Sequence, residues 1–274
     1  MNGYLYCTDT FIVFIQQNVI HAIDKKSKSK LQKVHSNDLV FLRGGFLLDA
    51  KKQLFQIEIS DEIKLHHICS TKKSISDVVI YKGDVYYCDR FGDVYTIKDN
   101  HALLLFGNMC FTTSLLVGEQ IWTSDKYGRI RISNHNGSIM KYIFCKESIY
   151  CMIETKLYVC AGLKNKKVCI VNKMTHEIKF VDLPDNINKL LEYQNCLLCL
   201  CKKSEVLINL ENLTSKVLSN HGFIDGSITQ NILCGLTDDG KVVYSNEMLL
   251  DGKYKYKDNY DLFTIKIDPY KAFC

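Results

Sequence analysis

Two stretches decide the fold: Asp89-Arg90-Phe91-Gly92-Asp93-Val94-Tyr95 and Asp125-Lys126-Tyr127-Gly128-Arg129-Ile130-Arg131, 36 residues apart. Each runs acid, base, aromatic, glycine, then straight into an alternating run with β-branched residues. A glycine placed there supplies the positive φ of a tight hairpin turn, and the alternation that follows is that of a strand. A third copy is Asp238-Asp239-Gly240-Lys241-Val242, whose glycine lies 148 residues after Gly92, or four steps of 37.

Working outward, each turn sits inside a set of four short apolar runs. Around the first are Val78-Val79-Ile80, Val85-Tyr86-Tyr87, Val94 to Ile97 and Leu103 to Phe106. Around the second are Ser114 to Val117, Gln120 to Ser124, Ile130 to Ser133 and Ile139 to Phe144. Weaker units fill Ser148 to Leu183 and Ile187 to Ser219, so units start near Ile75, Thr112, Ser148, Ile187 and Phe223. Extending the period backwards adds units near Asn37 and at the N-terminus, seven in all. A four-stranded unit cannot bury both faces alone and must stack on its neighbours, and radial closure then protects the sheet edges. The expected fold is all-β, a single seven-bladed β-propeller of WD40-like, degenerate repeats spanning residues 1–274 as one domain, ahead of a β-sandwich with extra strands. The first unit shows three clear strands, and the run Leu262 to Ile267 is expected to complete it and close the ring. The Gly-His and Trp-Asp signatures of such repeats are missing, and Trp122 is the sole tryptophan.

Composition bounds the function classes. The chain has 274 residues, 47% hydrophobic and 24% charged, a balance ordinary for a soluble domain with a substantial core. No run of 18 apolar residues implies a membrane span, and Met1 to Cys7 lacks the basic and apolar regions of a secretory leader. The 13 cysteines are then expected as free thiols in a reducing compartment, where the sequons at Asn136 and Asn212 carry no meaning. The net charge of +5 comes almost wholly from lysine, and it is compatible with a polyanion nearby without demonstrating one.

Several motifs fail on their chemistry. Gly235-Leu236-Thr237-Asp238-Asp239-Gly240-Lys241-Val242 nearly spells a phosphate loop, but valine stands where a hydroxyl must hold magnesium, and two acids would repel phosphate. Cys196-Leu197-Leu198-Cys199-Leu200-Cys201 has the spacing of a zinc pair without a second pair at convincing distance, so it reads as an apolar strand with buried thiols. The histidines, the His66-His67 pair among them, form no recognisable catalytic arrangement. No Gly-rich strand-to-helix turn offers a dinucleotide or S-adenosylmethionine site. Nothing in the motifs argues for an enzyme; that alternative predicts acids or histidines converging on an axial channel.

The unusual feature that remains is the pair of basic hairpins. The chain has four arginines, and three of them, Arg90, Arg129 and Arg131, fall within 42 residues. In Arg129-Ile130-Arg131-Ile132-Ser133 a strand's period of two puts both arginines on one face and both isoleucines on the other. The bland reading is a solvated strand end with arginine stems covering apolar surface. Arginine's planar fork suits carboxylates or phosphates, and its concentration on adjacent units reads as an interaction surface.

These residues also carry a family resemblance. Asp89 to Tyr95 is similar to the "ADKFGDVY" segment of the WD-repeat, non-catalytic subunit of eukaryotic tRNA (guanine-N7-)-methyltransferase. Thr123 to Ser133 resembles that family's "TADRDEKIRVS" segment at the same distance downstream, and Phe106-Gly107-Asn108 falls where the family has Leu-Gly-His. The likeness is clear over about residues 75 to 155. It implies a scaffold that binds and activates a Rossmann-like methyltransferase subunit, which itself holds S-adenosylmethionine and forms 7-methylguanosine in the variable loop of tRNA. It implies no cofactor on this chain, no membrane, and a nuclear location with the cytoplasm as a second one. It assigns Arg131 to the basic position that faces acids of the partner, with Arg129, Arg90 and Lys126 at the other basic positions of the two hairpins. Tyr127 and Gly128 replace acids of the family segment, which makes this hairpin more basic. Lys164, Lys166 and Lys167, with Lys202 and Lys203, are candidates for diffuse contact with the tRNA backbone, against the simpler reading of ordinary lysine-rich loops. The alternative function is a WD-type scaffold of another complex, in ribosome assembly or vesicle traffic.

Overall fold

The computed structural model describes residues 5–16, 18–108, 110–229, 232–237 and 242–244. They form 27 strands and, among the described residues, no helix. The strands gather into seven antiparallel sheets, each built from consecutive strands. Sheets 1 to 6 have four strands apiece and span residues 5–34, 39–70, 75–107, 112–144, 149–182 and 187–219. Sheet 7 has three described strands within residues 223–244. The molecule is a seven-bladed β-propeller. Blades 3, 4, 6 and 7 begin at Ile75, Thr112, Ile187 and Phe223, the positions the repeat arithmetic predicts.

One detail of the repeat reading comes out differently. Blade 1 draws all four strands from its own segment, because Leu5–Cys7 pairs with Phe11–Gln16 ahead of the three strands legible in the sequence. It therefore needs no borrowed strand, and the run 262–267 lies outside the described residues. The third hairpin copy, 238–241, is also outside them. The strands that flank it, β26 (Ile232–Thr237) and β27 (Val242–Tyr244), pair antiparallel through Leu236 and Val242, as a hairpin requires and a phosphate loop does not.

Contacts cluster into two compact units. One holds blades 3, 4 and 5 whole; the other holds blades 1 and 7, most of blade 6, and strands of blade 2, which contributes to both. Within the first unit, blade 4 packs its two faces on different neighbours. The isoleucine face of β15 (Arg129–Ser133) joins Trp122 and Ile143 against Ile149, Met152, Val159 and Val171 of blade 5. Ile130 and Ile132 are wholly buried there, each contributing about 1.5–3 kcal/mol by leaving water. The other face meets blade 3, where Tyr86, Cys88, Val94 and Phe106 pack on Leu115, Val117 and Ile121.

Carboxylates tie first strands to first strands. Asp77 in β9 (Ile75–Tyr81) is fully buried, and its Oδ2 accepts from Leu115 N–H at 2.8 Å and the Ser114 hydroxyl at 3.1 Å, both on β13 (Thr112–Val117). In the second unit Asp225 Oδ2 accepts from Leu5 N–H at 3.0 Å. The two aspartates are 148 residues apart, again four steps of 37. A charge-assisted bond to a buried N–H is among the stronger ones available to a sheet protein.

Candidate interaction surface

The two deciding turns share one construction. In blade 4, Asp125 ends β14 (Ile121–Asp125), and its Oδ1 accepts from the N–H groups of Tyr127 and Arg129 at 2.8 and 3.1 Å. Gly128 sits at φ +84°, and an added Cβ would lie 2.4 Å from the Glu147 carbonyl oxygen. Blade 3 repeats this with Asp89, Phe91, Asp93 and Gly92 at φ +101°. Glycine is required at both sites by φ and by the backbone of the connection to the next blade, at Cys110 and Glu147, pressed against it. The glycine carbonyls accept from Asn108 N–H and Cys145 N–H, which locks each turn to the end of its outermost strand.

The predicted site residues separate into buried and exposed sets. Arg131 is only 6% exposed. Its Nε donates to Ser133 Oγ at 2.7 Å, Nη1 to Gly107 O and Asn108 Oδ1 at 3.0 Å each, and Nη2 to Gly137 O at 2.7 Å. The guanidinium lies over the Phe106 ring, 4.0 Å from its centroid. Burial among neutral acceptors pulls its pKa below the ordinary arginine value. The fork is thus spent on joining blade 4 to blade 3. Arg129 and Arg131 line a pocket with Thr123, Ser124, Asp125 and Tyr142, but it measures about 10 Å³, room for one water and not for a partner's carboxylate.

Arg129, two residues earlier on the same face, is half-exposed. Its Nε bonds Asp125 Oδ2 at 2.6 Å, and that bond raises its pKa despite some burial. Lys126 is exposed, with its ammonium 5.1 Å from the Tyr127 ring centroid and 5.9 Å from that of Phe111. Arg90 is exposed at the matching turn of blade 3. Beside it Lys73 reaches in from the strand connection, 2.7 Å from Asp93, 3.6 Å from Asp89, and 4.8 Å from the Phe91 ring centroid. Those carboxylates, the hydrogen bond to Asp93 foremost, raise the lysine's pKa.

Sequence reasoning missed the aromatic half of this surface. Phe91, Phe111, Tyr127 and Phe144 are all exposed, and Phe144 pairs across the ladder with Arg129. The signal was present: a large aromatic immediately before each turn glycine, where no core can receive it. Aromatics mixed with arginine are the composition of interface centres, with lysine belonging to the solvated rim.

The lysines proposed for RNA lie on the equivalent turn of blade 5. Lys164 and Lys166 are exposed; Lys166 Nζ reaches only the Pro184 carbonyl at 3.5 Å, and Lys167 pairs with Asp182 at 2.9 Å. The cysteine run forms β22 (Cys196–Cys201), a buried second strand. Cys196 points to one face of it and Cys199 to the other, so this spacing on a strand cannot chelate one ion.

Comparison with known proteins agrees with this architecture. No family model matches the chain, and no curated protein matches its sequence. Solved structures do. A chain of the mitotic checkpoint complex superposes with a TM-score of 0.75 at 10% identity, over 89% of this chain and 86% of that one. The BBS1N chain crystallised with ARL6DN gives 0.70 at 12% identity, covering 89% and 91%. A computationally designed protein, Ika8, gives 0.65 at 12%, covering 88% and 94%. The shared fold is the β-propeller. At these identities the likeness speaks to the fold alone.

Proposed function

We propose that this chain is a protein-interaction scaffold and, more narrowly, the non-catalytic subunit that binds and activates the methyltransferase forming 7-methylguanosine in tRNA. The observation that carries the reading is the exposed aromatic and cationic surface on the two hairpins that bear the family resemblance: Arg90 and Phe91 on one, Lys126, Tyr127 and Arg129 on the other. On this reading the catalytic subunit supplies S-adenosylmethionine and presents acids to that surface, and the propeller itself needs no cofactor. Close charge pairs of this kind couple by roughly 1.5–7 kcal/mol when desolvated. Arg131 acts from below, holding the hairpin in place. Lys164 and Lys166 add a sequence-independent attraction for tRNA phosphates in the complex. The work is done in the nucleus, with the cytoplasm as a second location.

The test is to purify the chain from cells, identify what comes with it by mass spectrometry, and repeat with Lys126→Glu plus Arg129→Glu. Co-purification of a methyltransferase, lost with the charge reversal together with 7-methylguanosine in tRNA, is the expected result. Recovery of a ribosome-assembly or trafficking complex in its place would move the assignment to the other scaffold reading. Unchanged association would remove the proposed surface.

A further inference from the structure

The outermost strand of blade 4, β16 (Ile139–Phe144), is built unlike the other outer strands. Its sequence, Ile-Met-Lys-Tyr-Ile-Phe, favours extended backbone at four of its six positions. Ile139, Met140, Tyr142 and Phe144 are 52%, 55%, 40% and 61% exposed. Proteins normally blunt such an edge with charge, proline or a bulge. Other blades do so. The outer strand of blade 1 carries Lys30 and Lys33; that of blade 2 carries Lys64 and His66, which pair with Glu62 and Glu58; that of blade 5 carries Lys179 and Asp182, which pair with Glu177 and Lys167. β16 has Lys141 alone, and its one bulge, at Met140, lies near its start and leaves Lys141 to Phe144 in regular register with β15. The outer strand of blade 3 also lacks charge, but it exposes only Leu103 and Leu104 among its large apolar side chains.

The backbone of β16 is available as well. Cys145 N–H bonds Gly128 O, and Ile143 pairs with Ile130, so by alternation residues 141, 143 and 145 turn their polar groups inward to β15. Tyr142 and Phe144 therefore turn their N–H and C=O outward. Their side chains lie on the arginine face, with ring centroids 6.3 Å apart.

We propose that β16 receives an extended, acidic segment of another protein as a fifth strand of blade 4. Backbone pairing would supply affinity, and alternate apolar side chains would lie along Tyr142 and Phe144. Charge chooses the occupant. Lys126, Arg129, Lys141 and Lys146 surround the strand, against Glu147 and the Asp125 already paired to Arg129. A second copy is disfavoured, because antiparallel pairing of β16 with itself brings the two Lys141 side chains within a few residues of each other with no acid between them. The site adjoins the hairpin of blade 4 and shares Arg129 and Phe144 with the surface described above, but strand addition along β16 does not depend on the methyltransferase reading.

The probes are fluorescent ten-residue peptides, measured by anisotropy on the full chain. One alternates valine and isoleucine with glutamate; its controls are the same peptide fully N-methylated and a version with lysine for glutamate. The acidic peptide should bind, with both controls at least about tenfold weaker. Met140→Asn and Phe144→Asn, both at exposed positions, remove apolar contact without adding charge and should each weaken binding about tenfold, while Val217→Asn on the outer strand of blade 6 leaves it unchanged. Equal binding of the N-methylated peptide would overturn strand addition. So would a concentration-dependent dimer abolished by Phe144→Asn, which would assign the edge to self-association. Tighter binding of single-stranded oligouridine than of the acidic peptide would assign it to nucleic acid.

Discussion

The hairpins of blades 4 and 5 occupy the same place in the repeat and solve it with different chemistry. Arg129-Ile130-Arg131-Ile132 of β15 aligns with Lys167-Val168-Cys169-Ile170 of β19 (Lys167–Asn172). Where blade 4 buries the Arg131 guanidinium against blade 3, blade 5 buries the Cys169 thiol against blade 4. Where blade 4 turns on Gly128, blade 5 turns on Lys166 at φ +61°. Neither difference alters the strand pairing. A blade's face is therefore defined by which neighbour covers it. Both faces of a third strand are covered, so alternation of arginine and isoleucine marks two different neighbours and not an inside and an outside.

The two hairpins differ most in energy at Arg131. Arg131→Ala should strand the Gly107 and Gly137 carbonyls and uncover Phe106, costing about 3 kcal/mol, read as a lowered urea midpoint. The equivalent Cys169→Ala should cost about 1 kcal/mol, since it removes one small apolar group. If the two changes cost the same, the guanidinium is not the joint between blades 3 and 4.

The turns give the next largest contrast. Gly128→Ala meets both a positive φ and the Glu147 carbonyl, so it should cost about 2 kcal/mol or more. Lys166→Gly relaxes a left-handed residue but loosens the unfolded chain, and the two effects should leave stability within about 0.5 kcal/mol. A neutral Gly128→Ala would mean that the turn can shift away from the Glu147 connection.

Asp77 provides a smaller effect. Asp77→Asn keeps the shape but weakens the bonds to Leu115 N–H and Ser114, a cost of about 1–2 kcal/mol in the same denaturation measurement. An unchanged midpoint would show that the ladder pairings alone hold the first strands together.

The sequence disclosed the fold through period and turn chemistry, because Gly92 and Gly128 answer a backbone demand that is local. More of the repeat was legible than those turns. Asp24, Asn172 and Asn209 each close a turn by accepting backbone N–H bonds two and three residues on, and they are spaced 148 and 37 residues apart. The site was legible only in part. That Arg129 and Arg131 share a face follows from the period of two; that one is half-exposed and the other spent inside depends on Phe106, Gly107, Asn108 and Gly137, which no local pattern ties to them. The first strand of blade 1 escaped for a similar reason: three residues, Leu5 to Cys7, are too few to show a period and are recognised as a strand by what they pair with.

The smallest expected effect separates surface from joint most cleanly. Lys167 occupies the place of Arg129, and its pairing with Asp182 is largely solvated on both sides. Lys167→Ala should change stability by no more than about 0.5 kcal/mol, as exposed pairs generally do. Arg129→Ala should be almost as mild for folding, because Asp125 keeps its two backbone bonds when the guanidinium is gone. The two changes should differ in binding: loss of Arg129 weakens capture of the acidic partner and loss of Lys167 does not. If both alter partner capture equally, the cations act as a diffuse field over blades 4 and 5; if only Arg129 does, the hairpin of blade 4 is a defined contact.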